Sequence, residues 1–142
     1  MKRVLFVCTG NSARSQMAEG LLRALGRGAY EAHSAGTEPK GLNPLAVRVM
    51  REISFDISGH RSKPLDGYRG EKFDVVVTVC DRARETCPAF PNAGKTLHWS
   101  LEDPAGSRGS EDEKLAVFRR VRDEIRGRIE AFVQSKTKEE TT

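Results

Sequence analysis

Two spacings of apolar residues alternate along the chain and predict strands and helices in turn. Runs of apolar or β-branched residues predict buried strands at Val4–Val7, Tyr30–Ser34, Asp74–Val79 and Thr96–Trp99. Asp74–Val79 is the clearest of the four, because every residue after the aspartate is β-branched. Between the first two strands, apolar residues at helical spacing predict a helix over Gln16–Leu25.

Two further helices carry recognisable start signals. Asn43-Pro44 places a capping side chain before a proline at the first helical position. Ser110, with Glu113 three residues later, matches a capping box. The apolar positions of this last helix continue to about Phe132, and we predict a frayed tail over residues 134–142.

Strands that alternate with helices indicate an α/β fold. We predict a single domain over residues 1–142, with three layers: a four-stranded parallel sheet and helices on both of its faces. The loops after strands one, three and four would then share one edge of the sheet, where ligands bind in such folds. Cys8, Cys80 and Asp103 all lie at the carboxyl ends of predicted strands.

Composition narrows the class of protein. The chain has 142 residues, 37% of them hydrophobic and 31% charged, as in soluble globular proteins. The net charge of +4 is modest and the basic residues are spread out, so we expect no nucleic-acid partner. No apolar run reaches the length of a membrane span, and no export signal is recognised, so we expect a cytoplasmic protein with reduced thiols. Three cysteines, an odd count, then favour catalytic or structural roles over a static disulfide framework.

The candidate chemistry is concentrated in one loop between the first strand and the first helix. Main-chain N–H groups in such a loop converge on one point, and the helix N-terminus adds positive potential. Both features stabilise a thiolate, and an arginine that closes the loop can grip an oxyanion with two hydrogen bonds. The alternative is a cysteine buried at the end of a core strand, since the spacing between cysteine and arginine is common by chance. The loop reads Cys8-Thr9-Gly10-Asn11-Ser12-Ala13-Arg14-Ser15.

Asp103 is the candidate general acid, since it can protonate a departing oxygen. The alternative is a carboxylate that only shapes the turn at Asp103-Pro104. His33, His60 and His98 show no ligand spacing, so we expect no metal site.

Cys80 and Cys87 are candidates for a redox relay. Their separation does not fit a zinc site or a thioredoxin-like pair. The segment between them, Arg82–Thr86, predicts a short and weak helix. The alternative is one core cysteine and one incidental surface cysteine.

Taken together, these stretches resemble the low-molecular-weight phosphatase superfamily, and more narrowly the thioredoxin-coupled arsenate reductases. The resemblance covers nearly the whole chain. The three cysteines and the Asp-Pro pair are its specific part, because the first loop alone does not separate reductases from phosphatases. Beyond the Cys8 loop and its following helix, the matching stretches are Ser34-Ala35-Gly36, Val76–Cys80, Cys87-Pro88, His98-Trp99, Glu102-Asp103-Pro104 and Val117–Ile125.

The resemblance implies a mechanism for the oxyanion step. Cys8 attacks arsenate that is held by the loop amides and Arg14, and Asp103 protonates the leaving oxygen. Ser15 forms a hydrogen bond with the thiolate. The loop residues Thr9 to Ala13 bind the oxyanion through their main chain.

The resemblance also implies a relay. Cys80 attacks Cys8, which releases arsenite and leaves a transient Cys8–Cys80 disulfide. Cys87 then attacks Cys80, and thioredoxin reduces the resulting Cys80–Cys87 disulfide. The protein would need no bound cofactor, with thioredoxin as external reductant, and we expect a monomer.

Some relatives bind potassium beside the loop, and this chain only partly matches that site. Asn11, Glu19 and Ser34 match three of the ligands, whereas Arg61 and Lys63 stand where a threonine and an aspartate would be. We therefore expect the Lys63 ammonium to take the place of the cation, through Asn11 or Glu19.

Two other functions compete with arsenate reduction. A phosphotyrosine phosphatase would use the same loop and hydrolyse phosphoesters, and a weak phosphatase side activity is expected in any case. Such phosphatases place tyrosines just after the Asp-Pro pair, whereas Ala105-Gly106 here favours a small inorganic substrate. A non-catalytic oxyanion-binding domain is disfavoured, because Cys8, Arg14 and Asp103 are all present.

Overall fold

Four strands form one parallel sheet in the part of the chain that the structure describes. The computed structural model describes residues 1–79 and 93–141, and side chains as far as Gln134. The strands are β1 (Lys2–Cys8), β2 (Tyr30–Gly36), β3 (Phe73–Thr78) and β4 (Ala93–His98), in the order β2-β1-β3-β4. All three pairings are parallel, which confirms the predicted sheet and brings the carboxyl ends of the strands to one edge.

Within the described residues, three α-helices and two short 3-10 helices connect and follow the strands. The α-helices are α1 (Arg14–Leu25), α2 (Pro44–Glu52) and α3 (Glu111–Thr141). The 3-10 helices are Leu65–Tyr68 and Pro104–Gly106. Of the helices that the structure describes, none is both long and apolar enough to cross a membrane.

Both predicted helix starts are confirmed. The Asn43 side chain accepts a hydrogen bond from the Leu45 N–H at 2.8 Å. The Ser110 hydroxyl accepts from the Glu113 N–H at 3.1 Å, and the Glu113 carboxylate accepts from the Ser110 N–H at 3.3 Å. These local contacts satisfy main-chain donors that an α-helix otherwise leaves free at its first turn.

Most element boundaries lie within two residues of the prediction, and two lie further from it. β4 begins at Ala93 and not at Thr96, because its main chain already pairs with β3 where its side chains are still exposed. α3 continues to Thr141, where a frayed tail had been predicted from residue 134. Helical hydrogen bonds lie within the segment itself, so the helix does not have to end where its buried face ends.

The two faces of the sheet bury different partners. Val4 and Phe6 of β1 point to one face and pack with buried residues of all three α-helices. Leu5 and Val7 point to the other face, which packs against Leu65 of the first 3-10 helix. The sequence predicted helices on both faces of the sheet. Among the described elements, this second face is covered by that 3-10 helix, whereas the three α-helices pack on the first face.

Part of the predicted chemistry falls in the interval between β3 and β4. Cys80, Cys87 and the predicted helix Arg82–Thr86 lie outside the described residues.

Candidate active site

The candidate loop lies at the carboxyl edge of the sheet, between a strand and a helix. Cys8 is the last residue of β1, and Arg14 is the first residue of α1. Cys8 and Ser15 are almost completely buried. The short connection follows from the sequence, since an apolar run ends at Cys8 and a helical apolar pattern begins just after the loop.

The carbonyl groups of the loop are turned outward, toward the segment that follows β2. That segment donates four main-chain hydrogen bonds to them: Thr37 to Cys8 at 3.3 Å, Glu38 to Thr9 at 2.9 Å, Lys40 to Gly10 at 3.0 Å and Asn43 to Ser12 at 2.9 Å. In a trans peptide the C=O and the next N–H point in opposite directions. Outward carbonyls therefore leave the loop N–H groups facing inward, in the arrangement that binds anions.

Close approach of the two segments requires a glycine at the end of β2. A Cβ atom on Gly36 would lie 2.5 Å from the Thr9 carbonyl oxygen and 3.0 Å from the Asn11 main-chain nitrogen. Any side chain would push the loop away from β2, so the cup depends on Gly36.

Asn11 holds the loop in its curved form. Its φ of 45° lies in the left-handed region, which asparagine tolerates better than most residues. Its side-chain oxygen accepts hydrogen bonds from the Lys63 N–H at 2.8 Å and from the Gln16 amide at 3.1 Å. Its main-chain oxygen accepts from the Ser62 hydroxyl at 2.6 Å, so three other residues fix this conformation.

The sulfur of Cys8 receives two hydrogen-bonding groups from its own loop. The Asn11 N–H donates to it at 3.1 Å, and the Ser15 hydroxyl lies 2.9 Å away. The Asn11 side-chain amide donates to the Ser15 oxygen at 2.7 Å, so the Ser15 hydrogen is left to point at the sulfur. Two donors directed at one sulfur stabilise negative charge on it.

Arg14 and Asp103 bring opposite charges to the rim of the cup. The Arg14 guanidinium is 97% buried, donates to the Leu101 carbonyl at 3.2 Å and lies 3.7 Å from the Asp103 carboxylate. The other oxygen of Asp103 accepts from the Ala105 N–H at 3.1 Å. Asp103 is 44% exposed, so it faces the solvent side of the site and not its base.

These groups surround a pocket of about 350 Å³. None of the described residues that line it is aromatic, and Ala105 and Gly106 leave its mouth open. The lining residues are Cys8, Thr9, Gly10, Ser12, Ala13, Arg14, Lys40, Asp103, Ala105 and Gly106.

A family model described as low molecular weight phosphotyrosine protein phosphatase matches residues 3–142. The chain belongs to this family. The arsenate reductase of Halalkalibacterium halodurans is 47% identical over 134 residues, which cover 94% of this chain and 96% of the relative.

Solved structures of the same family have the same architecture. A structure described as an arsenate reductase in the phosphate binding state aligns with a TM-score of 0.82 and 37% identity, over 95% of this chain and 98% of that one. A thioredoxin-dependent arsenate reductase of Corynebacterium glutamicum aligns with a TM-score of 0.68 and 31% identity, over 95% of this chain and 61% of that one.

The structure of this phosphatase-family protein brings four predicted site residues together: Cys8, Arg14, Ser15 and Asp103. The loop residues from Thr9 to Ala13 lie between them. The roles of Cys80 and Cys87 stay predictions, since both cysteines lie outside the described residues.

Sequence analysis missed Lys40 and Gln16 as parts of the site. Lys40 lines the pocket, and Gln16 supports Asn11 from behind. The signal for Lys40 was available, because the loop after β2 ends at the same sheet edge as the loops after β1, β3 and β4. No sequence feature indicated a role for Gln16, because a glutamine within a predicted helix is typical of an ordinary polar position.

A buried carboxylate lies behind the loop, and basic groups surround it. The Glu19 side chain is 97% buried and accepts from the Ser34 hydroxyl at 2.5 Å. Arg23 lies 2.9 Å from it, Lys63 3.5 Å and His60 3.7 Å.

Lys63 lies beside the residues that match the potassium ligands of some relatives. Its ammonium reaches the Glu19 carboxylate, and also donates to the Arg61 carbonyl at 2.8 Å. Of the residues that match potassium ligands, Glu19 therefore has a positive partner, whereas Asn11 meets Lys63 through the main-chain N–H of that lysine. Elsewhere in the described residues, no cluster of three or more His, Cys, Asp or Glu side chains suits a metal ion.

His60 links this buried cluster to the loop through Gln16. The Gln16 nitrogen faces three acceptor oxygens, among them the Arg61 carbonyl at 2.8 Å, which assigns its oxygen to the His60 side. His60 Nδ1 lies 3.1 Å from that oxygen and so carries the donated hydrogen. Burial lowers the pKa of His60, while Glu19 opposes that shift.

Proposed function

We propose that this protein is an arsenate reductase that uses three thiols and takes electrons from thioredoxin. The observation that carries the proposal is a small pocket that combines a buried cysteine, a buried arginine and an exposed carboxylate, with no aromatic residue among its described lining. A tetrahedral inorganic oxyanion fits such a pocket, and the similar proteins named above are arsenate reductases.

The first step is an attack on arsenic. The inward N–H groups and Arg14 hold three oxygens, and the Cys8 thiolate forms an S–As bond to the central atom. The fourth oxygen departs as water after Asp103 gives it a proton. Asp103 suits this role because it lies at the solvent side of the pocket, opposite the sulfur at its base.

The second step reduces arsenic. Cys80 attacks the Cys8 sulfur, an S–S bond forms, and the S–As bond breaks with its electron pair left on arsenic. Arsenate has then become arsenite, and the two electrons have come from the Cys8 and Cys80 thiols.

The third step moves the disulfide to a place where a partner can reach it. Cys8 is only 2% exposed, so a Cys8–Cys80 disulfide in the pocket is poorly accessible to a protein such as thioredoxin. Cys87 attacks Cys80, which frees the Cys8 thiolate and leaves a Cys80–Cys87 disulfide for thioredoxin. Reduced thiols are the resting state in this cycle, as in the cytoplasm, and one chain holds all the proposed groups, so a monomer suffices.

Phosphoester hydrolysis is the second candidate function. The same nucleophile, arginine and acid can form and hydrolyse a cysteinyl phosphate, and the family model carries the name of a phosphatase. Ala105 and Gly106 offer no ring to stack on an aromatic ester, so we expect this activity to be weak.

Turnover of arsenate and of a phenyl phosphate ester, with thioredoxin, thioredoxin reductase and NADPH, separates the candidates. We expect arsenate-dependent NADPH oxidation and slow ester hydrolysis. Cys8→Ser should abolish both activities. Cys87→Ser should stop after one round of arsenate reduction, with a trapped Cys8–Cys80 disulfide, and should keep its ester hydrolysis. Cys80→Ser should block even that first disulfide.

Ester hydrolysis serves as the internal control in this experiment, because it needs no second thiol. Fast ester hydrolysis without arsenate turnover would establish the phosphatase instead. Multiple turnovers by Cys87→Ser with thioredoxin would rule out the proposed relay.

A further inference from the structure

Lys40 has a main-chain position that is fixed on both sides. Its own N–H donates to the Gly10 carbonyl of the loop at 3.0 Å. The next N–H, that of Gly41, donates to the Ser62 hydroxyl at 3.0 Å, and Ser62 in turn donates to the Asn11 carbonyl. Lys40 is therefore attached to the loop itself, although it belongs to another segment of the chain.

The Lys40 side chain lies along the wall of the pocket. Its Cγ and Cδ atoms pass 3.8 Å and 3.6 Å from where a Cβ atom of Gly10 would be. Among the described residues, no carboxylate forms an ion pair with its ammonium. An exposed lysine whose stem lies on an anion-binding loop keeps its charge available at the mouth.

The charge balance of the pocket leaves a role for this ammonium. The Arg14 guanidinium lies 3.7 Å from the Asp103 carboxylate. An anion that approaches from solvent therefore meets two opposite formal charges that largely cancel. An inorganic arsenate or phosphate carries between one and two negative charges near neutral pH. Among the described charged side chains that line the pocket, Arg14, Asp103 and Lys40, it is Lys40 that makes the formal balance positive before the oxyanion enters.

We propose that Lys40 is a substrate-binding residue that captures the oxyanion at the mouth of the pocket. The identity of that oxyanion as arsenate rests on the proposed function, whereas capture of a tetrahedral dianion does not. Lys40 attracts the anion before and during reaction alike, because its charge lies at the mouth and not at the attacked atom. Interactions of this kind lower KM and leave kcat nearly unchanged.

The first test is the binding of inorganic phosphate, measured by calorimetry at 20 mM and at 300 mM salt. This measurement does not require catalytic turnover. We expect Lys40→Gln to weaken phosphate binding about three- to tenfold at low salt, and clearly less at high salt, because screening removes the attraction. Lys40→Arg should restore most of the affinity, since it keeps the charge.

Lys2→Gln is the matched control. It removes the same charge from the opposite end of β1, about 20 Å from Cys8 at the rise of an extended strand. We expect it to leave phosphate binding and its salt dependence unchanged.

The second test is arsenate turnover by the same variants. Lys40→Gln should raise KM by a similar factor and change kcat less than about twofold. Equal phosphate affinity in Lys40→Gln and the unmodified protein would overturn the proposal, and so would an affinity loss that is independent of salt or is not rescued by Lys40→Arg. A protein that shows the Lys40 effect on phosphate but does not turn over arsenate would keep this inference and overturn the proposed function.

Discussion

The hydroxyl oxygen of Ser15 lies 2.9 Å from the sulfur of Cys8 and 2.7 Å from the side-chain nitrogen of Asn11. The Asn11 side-chain amide donates a hydrogen bond to the Ser15 oxygen. The hydroxyl hydrogen of Ser15 is therefore directed to the Cys8 sulfur. Asn11 is in turn held by Gln16 and by the main chain of Lys63. The state of the nucleophile thus depends on a chain of side chains that runs from Gln16 through Asn11 and Ser15 to the sulfur.

Ser15→Ala should remove this donor with little change in volume. Because hydrogen bonds to charged groups contribute about 1.5–3 kcal/mol, we expect kcat/KM for arsenate to fall roughly 10- to 100-fold. The rate of Cys8 alkylation by iodoacetamide at neutral pH, measured in a variant without the other cysteines, should fall. An unchanged alkylation rate would show that the serine does not stabilise the thiolate. Ser12→Ala is the control, since Ser12 lies in the same loop and has no contact with the sulfur among those described.

Asp103→Asn should separate catalysis from binding. Loss of a general acid costs on the order of 10²–10⁴ in rate, so kcat for arsenate should fall strongly. Removal of a carboxylate 3.7 Å from Arg14 should at the same time strengthen phosphate binding. Calorimetry and steady-state kinetics on one preparation check both effects. Weaker phosphate binding together with unchanged kcat would assign Asp103 to the turn alone.

Lys63 should make the protein indifferent to potassium. Its ammonium lies 3.5 Å from Glu19, so the buried carboxylate already has a positive partner. We expect activity and melting temperature to differ little between potassium chloride and tetramethylammonium chloride at equal ionic strength. Lys63→Met should lower the melting temperature and make it respond to potassium. A potassium-specific rise in the unmodified protein would contradict the assignment.

His60 should make stability fall in mild acid. Burial lowers its pKa in the folded state, so the unfolded chain binds a proton more readily between its ordinary value near 6.5 and the lower folded value. The free energy of unfolding should therefore decrease as pH falls through that interval. His60→Asn keeps a hydrogen-bond donor toward Gln16 but cannot titrate, and its stability should vary less with pH. Urea titrations at pH 7.5, 6.5 and 5.5 make the comparison. Identical pH dependence in the two proteins would exclude His60 as the cause.

Glu52 should contribute more stability than an ordinary surface carboxylate. It accepts from Arg119 at 2.7 Å and from Arg122 at 3.0 Å, and so ties α2 to α3. Hydrogen bonds from Arg119, followed by those from Arg122, lower the pKa of Glu52 to about 2. The stabilisation is fully present above the ordinary value near 4.5 and is lost as pH falls toward 2.

Glu52→Gln should therefore lower the free energy of unfolding at pH 7 by about 1 kcal/mol, because Arg122 is nearly buried and loses a charged partner. Glu102→Gln, which breaks a single exposed pair with Arg120, should cost less than about 0.5 kcal/mol. Urea titrations of both variants give the comparison. An equal cost for the two substitutions would contradict the special role of the Glu52 network.

Short-range pattern was enough to predict the strand, the loop and the helix that carry Cys8 and Arg14. An apolar run, a turn with Gly10 and Asn11, and a helical apolar repeat each act over a few residues. Side-chain caps such as Asn43 and Ser110 are equally local, since donor and acceptor lie two or three residues apart. The parallel sheet followed from the order of strands and helices, and with it the edge where the site lies.

Contacts between distant segments were decided only by the tertiary structure. The order of the parallel strands predicts that Asp103 lies at the same sheet edge as the loop. It does not predict that the Asp103 side chain points at Arg14, because that direction depends on how the turn after β4 packs. The outward carbonyls of the loop need the segment after β2, and that segment approaches only because Gly36 has no side chain.

The support of Gln16 by His60 likewise joins α1 to a loop far along the chain. The contact of Lys63 with Glu19 was expected only from the family resemblance, which places Lys63 at a ligand position. No spacing along the sequence encodes such a meeting. Local hydrogen bonds and apolar periodicity act within a few residues, whereas the distance between two loops is set by how the elements that carry them pack on the sheet.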